Sequence, residues 1–248
     1  MPGFRREIGP FTGACIVVGT VIGSGIFLTP STIASKVGPF GTGAILFVWC
    51  FCGLLSLAGA LAYAELGAMF PRAGGQYVFL REAYGPLVAF LYGWMEFWVA
   101  RGGSIAALAV AFSRYAAYFT GAEDATSKRW TSFLIIVLLT AVNYFGVRFG
   151  GWVQMLFTAA KVGALSLLVI CVFLLPGGSA ANWQPVLNPS GGDFSILIGA
   201  MGLAMIQALW AYDGWTNGVA PAEEMREPQR TIPRALLGGT LTIMGIYL

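Results

Sequence analysis

The chain has 248 residues, of which 57% are hydrophobic and 10% charged, and its formal net charge at pH 7 is +3. A soluble domain carries about 25% charged residues, so this composition argues against a soluble globular domain and predicts that lipid is the solvent for most of the chain. Histidine is absent, which excludes imidazole-based catalysis and histidine-ligated metals.

Seven apolar segments follow one another along the chain. A membrane-spanning helix needs about 20 mostly apolar residues, and the candidate spans are residues 9–35, 40–70, 86–120, 130–145, 151–175, 194–220 and 233–248. The sequence therefore predicts an all-α polytopic membrane protein. The last segment ends inside its apolar run and is short for a span, so we expect the chain to be the front part of a longer protein.

The first span contains a glycine-rich interruption, residues 19–27 (GTVIGSGIF). Glycines flanking a serine weaken a helix and expose backbone polar groups, which is tolerated at membrane depth only where they line a cavity. The freed N–H groups at the start of the outer half-helix would attract an anion such as a carboxylate. The alternative is close helix packing through Gly19 and Gly23, which form a GxxxG pair.

The third span holds an acid and a base, Glu96 and Arg101. They are five residues apart, whereas side chains meet on an α-helix at separations of three or four. The spacing therefore predicts separate structural contacts facing the helix bundle rather than an ion pair.

The sixth span contains a second interruption, residues 209–215 (LWAYDGW). Asp213 is an acid at membrane depth, which is costly and usually functional, and Gly214 follows it. Backbone carbonyls freed here would suit an ammonium group. The alternative is that Asp213 is solvated at a helix end. If the protein is built from two inverted five-helix repeats, the first and sixth spans correspond, and interruptions in corresponding spans indicate a midplane transport site. The N–H groups of one interruption and the carbonyls of the other would match the two ends of a zwitterionic amino acid.

Charged loops connect the spans. If the N-terminus is cytoplasmic, three Lys and Arg residues lie in outer segments: Lys36, Lys128 and Arg129. Eight lie in inner segments: Arg5, Arg6, Arg72, Arg81, Arg148, Arg226, Arg230 and Arg234. Cytoplasmic loops carry an excess of positive charge, so we expect an inner-membrane protein with its N-terminus inside, and the basic residues indicate topology rather than nucleic-acid binding.

Three of these loops have a predicted form. Loop 71–85 should form a turn and a short interfacial helix, and loop 176–193, rich in Gly, Pro, Asn and Ser, should be irregular. Segment 223–233 either fastens inner loops together or is a solvated hinge, the second being favoured. Within it, Pro233 suits the first turn of the seventh span.

Other chemistry finds no support in the sequence. The cysteines lie inside apolar runs, at Cys15, Cys50, Cys52 and Cys171, without disulfide or metal-ligand spacing. No G-x-S-x-G or P-loop pattern is present. We therefore expect no cofactor, no metal and no enzymatic activity, and a channel is disfavoured because no filter motif is visible.

Four motifs in order carry a family resemblance: GTVIGSGIF in the first span, PRAGGQYVFLREAYGP after the second, WAYDGW in the sixth, and AEEMREPQRTIPRAL after it. Together they resemble the amino acid–polyamine–organocation superfamily, and within it the L-type amino acid transporter branch with its bacterial exchangers. The resemblance implies a leucine-transporter-type fold of two inverted five-helix repeats, of which this chain holds the first repeat, the sixth span and part of the seventh.

The resemblance also implies a function and residue roles. The expected function is sodium-independent exchange of neutral amino acids, with cationic amino acids or polyamines as the alternative because Asp213 could pair with a second positive charge. The substrate carboxylate would be held by the backbone N–H groups of Gly23, Ser24, Gly25 and Ile26. The substrate amino group would be held by the backbone carbonyls of Ala211 and Tyr212, beside Asp213. Trp210 or Tyr212 would act as an aromatic gate.

Lys161 and the outer loop complete what the resemblance implies. In sodium-coupled relatives a cation bridges the first and eighth spans, and Lys161 resembles a built-in substitute whose ammonium would bond carbonyls near residues 19–23 and couple substrate binding to the inner half-helix. The alternative is that Lys161 extends to the membrane surface. Loop 121–129 lacks the cysteine through which animal members join a partner glycoprotein, so no disulfide-linked subunit is expected.

Overall fold

The computed structural model describes residues 6–121, 123–144, 147–174, 179, 183–188 and 193–248. In these ranges the regular structure is helical, and the only β-type pairing is an isolated bridge between Ile8 and Met225. The α-helices are α1 (Pro10–Val21), α2 (Gly25–Val37), α3 (Thr42–Met69), α4 (Gln76–Tyr84), α5 (Pro86–Met95), α6 (Gly102–Thr120), α7 (Ala125–Tyr144), α8 (Val147–Leu174), α9 (Phe194–Tyr212) and α10 (Pro228–Tyr247).

Several of these helices can cross a membrane. Among the described residues, four helical segments, some of them made of consecutive helices, are long and apolar enough: Thr42–Met69, Pro86–Thr120, Ala125–Val142 and Phe194–Val219. A fifth forms if α1 and the segment Gly25–Phe40 are one span, which then bends by 53°. The chain is therefore an all-α polytopic membrane protein, as its composition predicted.

The first of two compact units comprises Met1–Phe79 and Ala164–Leu248. In it, α1 packs on α10, α2 packs on α9, and α3 contacts both α9 and α10. Glycines permit this close approach: a Cβ on Gly13 would lie 2.7 Å from the Cβ of Ala235, and a Cβ on Gly239 would lie 2.6 Å from the Cβ of Val17. Since lipid offers helices no hydrophobic reason to associate, such close packing holds them together.

The second unit, Leu80–Gly163, corrects the prediction for Glu96 and Arg101. Arg101 Nε lies 2.7 Å from Glu96 Oε1, so the two side chains form an ion pair. The cause is the π-helical segment Glu96–Arg101 that joins α5 to α6. A π-helix closes its hydrogen bonds over five residues, which brings residues five apart onto one side. The expectation of separate contacts, based on α-helical spacing, was wrong.

The start of α10 also differs from the sequence prediction. The helix begins at Pro228, and Pro233 lies inside it. Proline suits a first turn because its missing N–H has no partner there in any case, and the chain uses Pro228 for this purpose. Glu227 precedes it with a left-handed backbone, φ +43°, and its carboxylate lies 3.3 Å from the Arg230 guanidinium on the exposed first turn.

Segment 223–226 fastens neighbouring segments together. The backbone N–H groups of Glu7 and Ile8 donate to the Glu224 carbonyl at 2.9 and 3.0 Å, and the Arg226 N–H donates to the Ile8 carbonyl at 2.9 Å. Met225 is fully buried. These contacts favour the first of the two alternatives for this segment, because a solvated hinge would leave Met225 exposed.

Residues 183–188 make a similar attachment to the turn between α2 and α3. Thr42 N–H donates to the Pro185 carbonyl at 3.1 Å, and Asn188 N–H donates to the Phe40 carbonyl at 2.9 Å. Gly41 has φ +107°, and a Cβ there would lie 2.5 Å from the Val186 carbonyl oxygen. A glycine is thus required at this position both by the backbone conformation and by the close approach.

Candidate functional site

The first span breaks where the glycine pattern predicts. Helix α1 ends at Val21, α2 begins at Gly25, and the Gly23 N–H donates to the Val21 carbonyl at 2.6 Å across the break. In the described part of the chain no group accepts a hydrogen bond from the N–H groups of Ser24, Gly25 and Ile26. Three unsatisfied donors at the start of a 13-residue helix are an anion-binding arrangement.

The sixth span breaks at the second predicted place. Helix α9 ends at Tyr212, and Gly214 has φ +117° before a short 3₁₀ helix, Trp215–Val219. A left-handed backbone at Gly214 stops the helix and leaves the last carbonyls of α9 without their intrahelical partners. Asp213 is exposed. The break therefore provides acceptors, with an acid beside them.

The two breaks touch each other. A Cβ on Gly25 would lie 2.7 Å from the Ala211 Cα, and a Cβ on Gly214 would lie 2.9 Å from the Thr20 carbonyl oxygen. The Thr20 hydroxyl oxygen also lies 3.2 Å from the Gly214 carbonyl oxygen. Consequently the donor end of α2 and the acceptor end of α9 are side by side, although they are separated by most of the chain.

An aromatic cluster flanks this meeting point. The Tyr212 ring lies 5.1 Å from that of Tyr247 and 5.9 Å from that of Trp49, centroid to centroid. The Tyr247 hydroxyl donates to the Ala211 carbonyl at 3.3 Å and reaches the Val21 carbonyl at 3.5 Å. It thus contacts both breaks from α10. Sequence reasoning missed Tyr247, and no local pattern around it could have shown its role.

The residues proposed as gates occupy different environments. Tyr212 is 1% exposed inside the aromatic cluster, whereas Trp210 is 47% exposed in this chain. Lys161 lies on α8 in the second unit and is partly buried. Its bond to the carbonyls of the first break stays a prediction. No group of three or more His, Cys, Asp or Glu residues that could hold a metal occurs among the residues that the structure describes.

Comparison with known proteins identifies relatives over nearly the whole chain. The family model described as amino acid permease matches residues 8–248. The b(0,+)-type amino acid transporter 1 of Oryctolagus cuniculus is 37% identical over 248 residues, covering 98% of this chain and 50% of that protein. The serine/threonine exchanger SteT of Bacillus subtilis (strain 168) is 35% identical over 246 residues, covering 99% of this chain and 54% of that protein.

A third relative has the same extent. The Asc-type amino acid transporter 1 of Mus musculus is 33% identical over 256 residues, which is 98% of this chain and 46% of that protein. The chain therefore spans about half the length of the curated relatives it matches.

Proposed function

The chain belongs to the amino acid permease family, and on that premise we propose that the protein is a secondary active exchanger of amino acids working by alternating access. Its family is one of transporters and not of enzymes. The substrate is proposed to lie where the two helix breaks meet. One observation carries this proposal: the unsatisfied N–H groups of Ser24, Gly25 and Ile26 adjoin Ala211 at the carbonyl end of α9.

This arrangement suits the two charges that every free α-amino acid carries. The carboxylate would accept from the N–H groups at the start of α2, where the helix dipole is positive. The ammonium would donate to the carbonyls of Ala211 and Tyr212 at the end of α9, where the dipole is negative. Hydrogen bonds to charged groups contribute about 1.5–3 kcal/mol each, so a few of them suffice for binding at millimolar to micromolar concentration.

The finer features are proposed with separate support. We favour neutral amino acids, because one relative is a serine/threonine exchanger. We favour exchange without sodium, because the Lys161 ammonium in the fifth span could replace a bound cation. The excess of Lys and Arg in the segments assigned inside supports an inner-membrane protein with a cytoplasmic N-terminus. The absence of cysteine from loop 121–129 supports a protein without a disulfide-linked subunit.

A second candidate is transport of cationic amino acids or polyamines. It is favoured by Asp213, whose side chain is exposed directly beside the break at Gly214. A carboxylate in that place can pair with a second positive charge on the substrate.

Counterflow in proteoliposomes tests both candidates. The protein encoded by the gene through to its stop codon is reconstituted with unlabelled serine inside, and uptake of labelled serine, leucine, lysine and glutamate is followed without sodium. We expect uptake of the neutral substrates that requires internal amino acid. Uptake of lysine instead would favour the second candidate, and a lack of uptake with every substrate would contradict the proposed function.

A further inference from the structure

Trp215, which follows the second break, occupies a notch in α3 at Gly59. A Cβ on Gly59 would lie 2.8 Å from the Trp215 ring, so the indole sits in space that any larger residue at position 59 would fill. Trp215 begins the stretch 215–224, here called the arm, which leads from the break to segment 223–226. Its position affects the break because Gly214, the preceding residue, is in contact with Thr20.

Tyr63 holds the indole on the side facing the end of α3. The two ring centroids are 5.2 Å apart and the rings are nearly perpendicular, at 89°, which is a favourable edge-to-face geometry. Gln76, the first residue of α4, donates a hydrogen bond from its side-chain amide to the Tyr63 hydroxyl at 2.6 Å. This bond fixes the end of the phenol ring, and the ring in turn limits where the indole can lie.

Loop 71–76 touches the arm at two further points. The Ala73 N–H donates to the Glu223 carboxylate at 3.1 Å. Gly75 has φ +51°, and a Cβ there would lie 3.1 Å from the Val219 side chain. The loop therefore contacts the middle and the far end of the arm directly, and it reaches the near end through Gln76 and Tyr63.

We propose that Gln76 is a positioning residue of the transport site, acting through Tyr63 on Trp215 to keep the arm closed against α3. The inference rests on the proposed function. Loss of the Gln76 hydrogen bond removes a restraint on the Tyr63 ring, so the Trp215 indole can adopt more positions. The backbone at the second break then becomes more mobile on the membrane face on which loop 71–76 lies. The apparent affinity for substrate at that face then falls, while the rate at saturation changes little.

Sided exchange kinetics test this proposal. The full-length protein is reconstituted in one orientation, and KM is measured at each face for wild type, Gln76→Ala, Tyr63→Phe and the double variant. We expect both single variants to raise KM at the loop face about two- to tenfold, the range for loss of one partly buried hydrogen bond. The double variant should be no worse than the more affected single variant, because both substitutions remove the same bond.

Matched variants separate this effect from general damage. Gln229→Ala and Tyr118→Phe make the same changes at exposed positions and should leave both KM values unchanged. Gln76→Glu should retain the wild-type KM, because a carboxylate also bonds the Tyr63 hydroxyl. Unchanged KM in Gln76→Ala, additive effects in the double variant, or equal changes at both faces would overturn the proposal.

A second measurement does not depend on transport. Amide hydrogen exchange of residues 215–224 is compared in detergent for wild type and Gln76→Ala. Faster exchange confined to the arm and its neighbours supports the positioning role, and unchanged exchange overturns it. If the wild-type protein exchanges no amino acid at all, the proposed function fails, and hydrogen exchange still decides whether Gln76 holds the arm.

Discussion

Replacing Gly25 by alanine tests whether the contact between the two breaks forms the binding site. The added Cβ would lie 2.7 Å from the Ala211 Cα and 3.3 Å from its Cβ, and ordinary contacts of this kind begin near 3.4 Å. The start of α2 and the end of α9 must therefore move apart by about 0.7 Å, the difference between 2.7 and 3.4 Å. A backbone carbon cannot rotate away as the end of a flexible side chain can. Overpacking of this kind costs about 1–3 kcal/mol.

The same shift displaces the donors of α2 from the acceptors of α9. If it weakens one hydrogen bond to the substrate carboxylate, about 1.5–3 kcal/mol of binding free energy is lost, which lowers affinity by roughly ten- to a hundredfold. The assay is the substrate concentration that half-saturates counterflow, with substrate-dependent protection against thermal unfolding in detergent as an independent measure of binding.

Two other glycines provide controls. A Cβ on Gly23 would meet only the Val21 carbonyl oxygen, at 3.7 Å, and a Cβ on Gly199, in α9, would meet nothing within 4 Å. Alanine at either position should preserve affinity. Wild-type affinity in Gly25→Ala would refute the reasoning, as would an equal loss in Gly23→Ala, which would indicate that backbone freedom and not the contact matters.

Three further predictions concern residues outside the glycine contacts. Tyr247→Phe removes the donor to the Ala211 carbonyl and should lower the free energy of unfolding in detergent by about 1 kcal/mol; an unchanged unfolding midpoint would contradict the hydrogen bond. A double-mutant cycle of Glu96→Gln and Arg101→Gln should give a coupling above about 1 kcal/mol, because the pair lies inside the membrane-spanning segment Pro86–Thr120, where water does not screen it as it screens a surface pair. Lys161→Ala should slow exchange or raise KM, and unchanged kinetics would remove its coupling role.

The ion pair of Glu227 and Arg230 on the first turn of α10 is the reference for the double-mutant cycle of Glu96 and Arg101. The Glu227 and Arg230 side chains are 73% and 75% exposed and 3.3 Å apart, so the same substitutions there should couple by less than about 0.5 kcal/mol. A larger coupling for this pair than for Glu96 and Arg101 would mean that the π-helical segment does not bring its two charges into a specific contact.

Local composition was sufficient to predict both helix breaks. Glycines at 23, 25 and 214 weaken a helix wherever they occur in one, and Asp213 at membrane depth marks the second interruption. These are properties of individual residues and their immediate neighbours. The short helix Gln76–Tyr84 was also predictable, since loop 71–85 is too short and too mixed in polarity to span the membrane.

Spacing rules failed where the helix type changed. The interval between Glu96 and Arg101 excludes contact on an α-helix, and the π-helical segment removes that premise. For segment 223–233 a solvated hinge was favoured over a fastening of inner loops, yet the backbone of residues 224 and 226 pairs with Glu7 and Ile8. A charged sequence reports the preference of its side chains and says little about the hydrogen bonds of its backbone.

The sequence by itself determined that lipid is the solvent of this chain, that it is helical, and where its first and sixth spans break. Hydrophobicity and glycine content act locally, so they can be read without knowing the fold. Only the tertiary structure decided that Gly25 contacts Ala211, that Tyr247 reaches both breaks, and that Gln76 donates a hydrogen bond to Tyr63 beside Trp215. Those contacts join residues distant in the chain, and they exist because helix packing at glycine notches brings particular faces together.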